Sequence, residues 1–237
     1  MKKLITILCA AVLTINISAQ VQFGPVTGLN VSAIGIAEPL FGIDTGDLSH
    51  EISGKTGMHF GGFAHFPLGN VVELRTGLIY SQKGGSETIA FSDPLSNGSI
   101  ALAYDLDYLE IPVDVAFKLG NVFALSAGPY IAFVMNKSVT TTYTGVYNDD
   151  FSMEYDAAFK KIFDGSVKGM DMGLNFGMSC TIAGHFLIST HYSMGLTDIL
   201  DTDIPTANLF YNPSESLDAD WVNGCLSFSF GYVFGGY

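Results

Sequence analysis

The chain has 237 residues, of which 48% are hydrophobic and only 14% are charged, and its formal net charge is −13. This acidic balance argues against a nucleic-acid-binding function, which requires clustered lysine and arginine side chains. The charged fraction is low for the surface of a soluble exported protein, yet no apolar run of about 18 residues follows the N-terminal segment. A membrane-like composition without a spanning helix indicates a closed β-barrel, because lipid requires internal pairing of every backbone polar group.

The N-terminal segment MKKLITILCAAVLTINISAQ has the features of a secretory signal peptide. Lys2 and Lys3 form a positive region, residues 4–15 form a short apolar region, and Ala19 is a small residue at the cleavage point. The sequence therefore predicts a signal peptide over residues 1–19 and a barrel domain over residues 20–237. Cys180 and Cys225 remain after cleavage, on opposite faces of non-neighbouring strands, and are not expected to form a disulfide.

Eight strand-like segments follow, near residues 23–35, 56–67, 71–84, 103–118, 122–135, 169–182, 185–196 and 221–234. Tight turns are predicted at 67–70, 119–121 and 183–184, and long polar loops near 36–55, 85–102, 136–168 and 197–220. Eight strands with both ends on one side need three connections on that side and four on the other. The sequence therefore predicts an all-β fold, an eight-stranded antiparallel up-and-down transmembrane β-barrel with short periplasmic turns.

Apolar and polar residues alternate along each segment, and the phase slips between Tyr108 and Leu109, which predicts a β-bulge. Periodicity alone does not say which face is inside, because a soluble lipocalin-like barrel would show the same pattern inverted. The polar face consists mainly of Gly, Ser, Ala and Asn, which fit the crowded interior of an eight-stranded barrel. The bulky apolar face is therefore predicted to contact lipid.

Aromatic residues at the strand ends are predicted to form two membrane girdles. The girdle near the short turns comprises Phe66, Phe117, Phe123, Phe186 and Phe234, and the girdle near the long loops comprises Tyr80, Tyr104, Tyr108, Tyr192 and Trp221.

The segments GPVTGLNVS, GLIYSQKGG, YLEIPV, AGPYIAF and YSMGLTDI, in this order, resemble the PorT-like outer-membrane β-barrel family of Bacteroidetes-type bacteria. The resemblance covers nearly all of the chain after the signal peptide. It implies an integral, multi-pass barrel in the cell outer membrane. The name-giving member takes part in protein secretion and gliding, but the resemblance implies neither a substrate nor a catalytic set.

Charged residues on the polar faces are predicted to point into the barrel: Glu73, Arg75 and Lys83 on the third strand, Glu110, Asp114 and Lys118 on the fourth, and Asp171 on the sixth. One interpretation is a polar conduit or proton path. The other is an interior ion-pair network, which we favour because eight strands leave room only for side chains.

No catalytic, metal or cofactor site is predicted. His59 and His65 share a face but lie roughly 20 Å apart on one strand, and His185 and His191 add no ligand spacing. His191 and Ser193 share a face without the order of a catalytic triad. The acidic residues Asp198, Asp201, Asp203, Asp218 and Asp220 lack the EF-hand pattern, so solvated loops are the default interpretation and weak cation binding is the alternative.

The sequence predicts a non-enzymatic integral outer-membrane protein with a structural or interaction role, whose long outer loops contact a partner or surface. The expected partners are outer-membrane lipid and lipopolysaccharide, the barrel-assembly machinery during biogenesis, and an envelope protein, and the barrel is expected to be monomeric. The alternatives are an accessory component of envelope transport or protein secretion, and a lipid-modifying outer-membrane enzyme.

Overall fold

The computed structural model describes residues 21–36, 49–93, 96–145, 160, 163, 165, 167–199 and 221–235. The eight strands are β1 (Gln22–Ile36), β2 (Ser49–Pro67), β3 (Val72–Asp93), β4 (Ser96–Leu119), β5 (Phe123–Thr144), β6 (Met170–Ile182), β7 (Phe186–Gly195) and β8 (Trp221–Tyr232). The predicted signal peptide lies outside the described residues. No helix in the described part of the chain is long and apolar enough to cross a membrane.

The strands form a closed ring in which each strand pairs antiparallel with its neighbours in sequence. β1 pairs with β8 from Val26↔Gly231 to Ile36↔Trp221, which closes the ring. This topology confirms the predicted up-and-down barrel of eight antiparallel strands.

The three tight turns lie where the sequence places them, and all are at one end of the barrel, here called the turn end. Ala183 and Gly184 connect β6 to β7 with positive φ angles of 52° and 74°, and Gly120 connects β4 to β5 with φ 75°. Two central residues with positive φ match the right-handed twist of the flanking strands, which favours a two-residue hairpin.

The opposite end, here called the loop end, differs from the prediction. Residues 85–102 do not form a loop, because β3 continues to Asp93 and β4 begins at Ser96. β5 likewise extends to Thr144, and β2 begins at Ser49. The loop predicted over residues 85–102 is therefore wrong, because serine and threonine also occur on the water-facing side of strands.

The extended strands form a sheet beyond the closed ring, here called the extension, which comprises residues 49–55, 84–93, 96–107 and 136–144. Pairing of β1 with β2 ends at Ser32↔Lys55, and pairing of β5 with β6 ends at Phe133↔Met170. β4 has 24 residues and is about 80 Å long at the usual rise. About 11 tilted residues cross a bilayer, so β4 is far longer than a membrane crossing requires.

The predicted change of phase near Tyr108 does not come from a bulge in β4. Burial along β4 alternates without interruption, with Tyr108 and Glu110 both facing inward. The register between β4 and β5 shifts between Asp107 and Tyr108, so the predicted irregularity is present, with Met135 as the extra residue on β5. The apolar residues change face because the inner face of β4 becomes apolar towards the loop end.

Candidate functional site

The turn end of the lumen contains a network of ionic side chains around Glu73, whose exposed fraction is 1%. Arg75 donates to Glu73 Oε1 from Nε at 2.6 Å, and its Nη2 lies 2.5 Å from the same oxygen. Lys118 Nζ lies 3.0 Å from Glu73 Oε2. Arg75 Nη1 also donates to Ser179 Oγ at 2.8 Å. The carboxylate partner of Arg75 therefore lies two residues away on its own strand and not on β4.

A second network crosses the middle of the lumen through His59. Its Nδ1 pairs with Asn30 Oδ1 at 2.8 Å and its Nε2 with Ser229 Oγ at 2.9 Å. Asn30 Nδ2 donates to Ser81 Oγ at 2.9 Å. Gly28 lies opposite His59 in the register, and a Cβ there would lie 2.6 Å from the imidazole ring. The glycine therefore provides the space that the histidine occupies.

Lys83 and Glu110 form the next layer towards the loop end. Lys83 Nζ lies 2.6 Å from Glu110 Oε1, and the lysine side chain is 1% exposed. The same ammonium lies 5.7 Å from the ring centroid of Tyr108 and 5.0 Å from that of Tyr130. A buried cation held by one carboxylate and two aromatic faces is compensated within the barrel.

Asp171 is held by neutral donors rather than by a cation. Tyr130 Oη donates to its Oδ2 at 3.1 Å, Asn223 Nδ2 donates to the same oxygen at 3.0 Å, and Thr197 Oγ1 donates to Oδ1 at 2.9 Å. Asn223 Nδ2 also donates to Tyr108 Oη at 2.9 Å. Together these contacts link four strands and the residues after β7.

An apolar cluster, here called the plug, fills the loop end of the lumen. Its buried members are Ile34, Leu102, Tyr104, Leu106, Tyr108, Tyr130, Ala132, Phe163, Val167, Ile199 and Trp221. The ring of Tyr104 meets Trp221 edge-on at 5.1 Å and Phe163 at 5.3 Å, and Tyr104 Oη donates to Glu87 at 3.2 Å.

The plug overturns part of the predicted girdle near the long loops. Tyr104, Tyr108 and Trp221 have exposed fractions of 1%, 0% and 0%, and they face inward. Their position near the loop end suggested lipid contact, but they point into the part of the lumen where the interior is apolar. Sequence alternation alone identifies the faces of the strands in the membrane-spanning part. It does not identify which aromatic residues point inward near the loop end.

The remaining girdle residues lie on the outer face. Phe117, Phe123, Phe186, Phe234 and Tyr192 have exposed fractions from 46% to 58%. Phe66 and Tyr80 are partly exposed on the same face, and Tyr80 contacts the Phe60 ring at 5.0 Å. The prediction missed Phe23 and Tyr232, whose rings lie 5.8 and 4.8 Å from Phe234. Their outward positions in the alternation were the available signal.

A cavity of about 120 Å³ lies between the ionic network at the turn end and the plug at the loop end. Its wall includes Arg75, Glu110, Asp114, Asn175 and His191. About 10–15 Å³ suffices for one water molecule, so the cavity has room for several. The plug lies between the cavity and the loop end.

All seven charged residues that were predicted to point inward lie on the inner faces of their strands.

Two of the histidines that the sequence singles out contact groups of the barrel itself. His65 Nδ1 lies 3.9 Å from Glu73, and His185 Nδ1 contacts the Val233 carbonyl at 3.2 Å. Within the described ranges, no group of three or more His, Cys, Asp or Glu residues is placed to hold a metal ion. Cys180 and Cys225 are both free thiols.

One residue of the acidic loop lies within the described part of the chain. Asp198 Oδ1 accepts from the Trp221 backbone N–H at 3.1 Å, and Asp198 Oδ2 lies 3.6 Å from Lys168 Nζ. Asp198 therefore anchors the start of β8. Asp201, Asp203, Asp218 and Asp220 lie outside the described residues.

Three solved structures align with most of this chain at low sequence identity. Ail, the attachment invasion locus protein of Yersinia pestis, is 12% identical over 90% of this chain and 98% of its own, with a TM-score of 0.38. OprG of Pseudomonas aeruginosa is 10% identical over 90% of this chain and 95% of its own, with a TM-score of 0.43. Neisserial surface protein A is 9% identical over 90% of this chain and 97% of its own, with a TM-score of 0.42.

No curated protein matches the sequence. Residues 16–201 match the family described as the outer membrane protein β-barrel domain. This match spans most of the chain and agrees with the closed eight-stranded ring and its exposed apolar face. The chain belongs to the outer membrane protein β-barrel domain family, and it is an outer-membrane β-barrel protein.

Proposed function

We propose that this protein is a non-enzymatic interaction protein, exported with a cleaved signal peptide, that works through the part of the barrel outside the lipid. The loop end faces the exterior of the cell, as the short turns at the other end favour. The extension is the contact surface for a partner or for the lipopolysaccharide layer.

The observation that carries this proposal is the polarity of the extension. Its outward face on β5 consists of Ser138, Thr140, Thr142 and Thr144, which alternate with inward or partly buried residues. Lys55 and Asp105 form an ion pair across the outer surface of the extension. Such a face is suited to water and polar partners, whereas the apolar face nearer the turn end is suited to lipid.

The side chains that occupy the two ends of the lumen support an interaction role over a pore. The plug fills the loop end, and the contacts around Glu73 fill the turn end. An open channel would need a continuous aqueous path, which larger barrels provide and eight-stranded barrels generally fill with side chains.

Site-specific cross-linking in intact cells tests the proposal. A photo-reactive residue at Thr140 or Thr142 is expected to capture an envelope protein or lipopolysaccharide. The matched control is Leu125, which lies on the outer face of the same strand and is 47% exposed, and it is expected to capture phospholipid and not these partners. Equal capture from all three positions would contradict the proposed contact surface.

Three further measurements separate the alternatives. Steady conductance of the purified barrel in a planar bilayer would support a pore. A changed lipid A or phospholipid acyl pattern in a deletion strain would support a lipid-modifying enzyme. Reduced export of other proteins in that strain, together with capture of a secretion component at Thr140, would identify the interaction as a secretion-accessory role.

A further inference from the structure

Several buried oxygen atoms have no hydrogen-bond partner within the described part of the chain, and two of them line the cavity without an ion-pair partner. These two are Oδ1 of Asp114 and Oδ1 of Asn175. The exposed fractions of these residues are 5% and 7%, and both line the cavity below the plug. Buried polar groups are normally paired, and an unpaired buried carboxylate is especially costly.

The register brings these two residues together across a glycine. Gly128 of β5 pairs directly with Asn175 of β6. On its other side Gly128 faces Asp114 of β4, because a Cβ on Gly128 would lie 2.9 Å from Asp114 Oδ1. Because Gly128 has no side chain, the backbone of β4 and the Asp114 carboxylate approach β5 closely, and Asn175 lies on the next strand on the other side of the glycine.

The nearest cation of the protein does not satisfy this carboxylate. Arg75 lies directly opposite Asp114 in the register between β3 and β4. Its N–H groups donate to Glu73 and Ser179 instead. Among the described residues, Asp114 forms neither an ion pair nor a hydrogen bond.

The other polar groups of the cavity wall limit the chemical class of the partner that Asp114 and Asn175 lack. Glu110 is paired with Lys83, and both ring nitrogens of His59 are engaged. His65 and His191 also line the wall. The unsatisfied atoms are oxygen acceptors, so the missing partner carries positive charge or donates hydrogen bonds, and an anion is excluded.

We propose that this cavity binds a small, partly hydrated monovalent metal cation of the sodium class. Asp114 and Asn175 are the protein ligands, and water together with the hydroxyl group of Ser193, which lies opposite Asn175 in the register, completes the shell. Carboxylate, amide and hydroxyl oxygens suit hard cations. A single unpaired carboxylate matches a single positive charge. This site is separate from the extension and goes beyond the proposed interaction function.

The test is the stability of the full barrel, refolded in detergent, as a function of sodium concentration. Ionic strength is held constant by replacing NaCl with N-methyl-D-glucamine chloride, whose cation is too large for the cavity. A ligand that binds only the folded state stabilises it with a saturable concentration dependence. The urea midpoint of the wild type is therefore expected to rise with sodium and reach a plateau.

Variants test whether the sodium-dependent rise of the urea midpoint depends on Asp114 and Asn175. Asp114→Asn and Asn175→Ala are expected to abolish the sodium-dependent rise. The double change Asp114→Asn with Asn175→Asp moves the carboxylate across the glycine and is expected to restore it. Asp107→Asn makes the same chemical change on the outer face of β4 and is expected to keep the full wild-type response.

Sodium-23 relaxation of the wild-type protein gives a second readout that does not require a variant to fold. Bound sodium is expected to broaden the signal, and potassium or lithium is expected to compete. A wild-type midpoint independent of sodium, with no broadening, would show that only water fills the cavity and would overturn the proposal. The same sodium response in Asp114→Asn, or a response to Ca²⁺ alone, would also overturn it.

Discussion

The membrane-facing part of the barrel and the extension share strands but have opposite polarity. Along β4, Val113 and Val115 point outward and Asp114 points inward at the lipid level, whereas Asp105 points outward and Leu106 inward in the extension. The backbone alternation is the same in both parts. What changes is the solvent outside, because lipid demands an apolar outer face and water demands a polar one. Each part therefore places its apolar residues according to its surroundings.

The two parts also differ in how they hold charges. The lumen near the turn end buries Glu73 between Arg75 and Lys118, whereas Lys55 and Asp105 pair on the surface of the extension. A buried pair that loses one partner leaves a desolvated charge, while a surface pair loses little because water replaces the partner. The structure thus predicts a graded series of substitution effects across the molecule.

The largest effect is expected for Arg75→Leu, which removes the main partner of buried Glu73. Breaking a buried pair from one side typically costs about 3–5 kcal/mol. The free energy of unfolding is measured with urea through the emission of Trp221, the single tryptophan of the chain. Arg75→Leu combined with Glu73→Leu is expected to recover much of the loss, since both buried charges then leave together and Lys118 is partly exposed. A double variant no more stable than Arg75→Leu would contradict the pairing.

A smaller effect is expected to distinguish two parts of the outer face of β4, the part in the lipid and the part in the extension. Val113→Arg places a charge in the apolar band and is expected to cost about 2–4 kcal/mol near the midplane. Ala103→Arg makes a change of the same sign on the same face of β4, in the extension, and is expected to stay within about 0.5 kcal/mol. Urea unfolding of both variants in lipid vesicles measures the difference. Equal costs would show that the extension is embedded in lipid and would break the comparison.

The sequence was sufficient for the strand number, the turns and the faces within the lipid. Those features follow from alternation, from Gly120 and Gly184 in the turns, and from small residues opposite bulky ones. It was insufficient for the extension, because serine and threonine occur both in loops and on the water-facing side of strands. It also misplaced Trp221, since a lone aromatic near a strand end has the same sequence signature in a girdle and in a plug.

The ionic contacts were only partly accessible to sequence reasoning. Alternation correctly placed Glu73 and Arg75 on one inner face, but it did not say whether a long side chain would reach across to β4 or along its own strand. The placement of Asp114 and Asn175 on either side of Gly128 depends on the register of three strands. Register of that kind is set by the closed ring as a whole, and local sequence does not reveal it.

The smallest effect is expected for the ion pair on the extension. The side chains of Lys55 and Asp105 are 32% and 39% exposed, so water solvates either one when its partner is removed. Lys55→Ala is therefore expected to lower the free energy of unfolding by about 0.2–1 kcal/mol. The coupling energy from a double-mutant cycle with Asp105→Ala should shrink further at high salt, because exposed charges are screened. A coupling energy as large as that between Arg75 and Glu73, or one insensitive to salt, would mean that a partner or the lipid headgroups bury this pair. Burial by headgroups would place the boundary between lipid and water further along β4 than the polarity of its outer face indicates, whereas burial by a partner would leave that boundary unchanged.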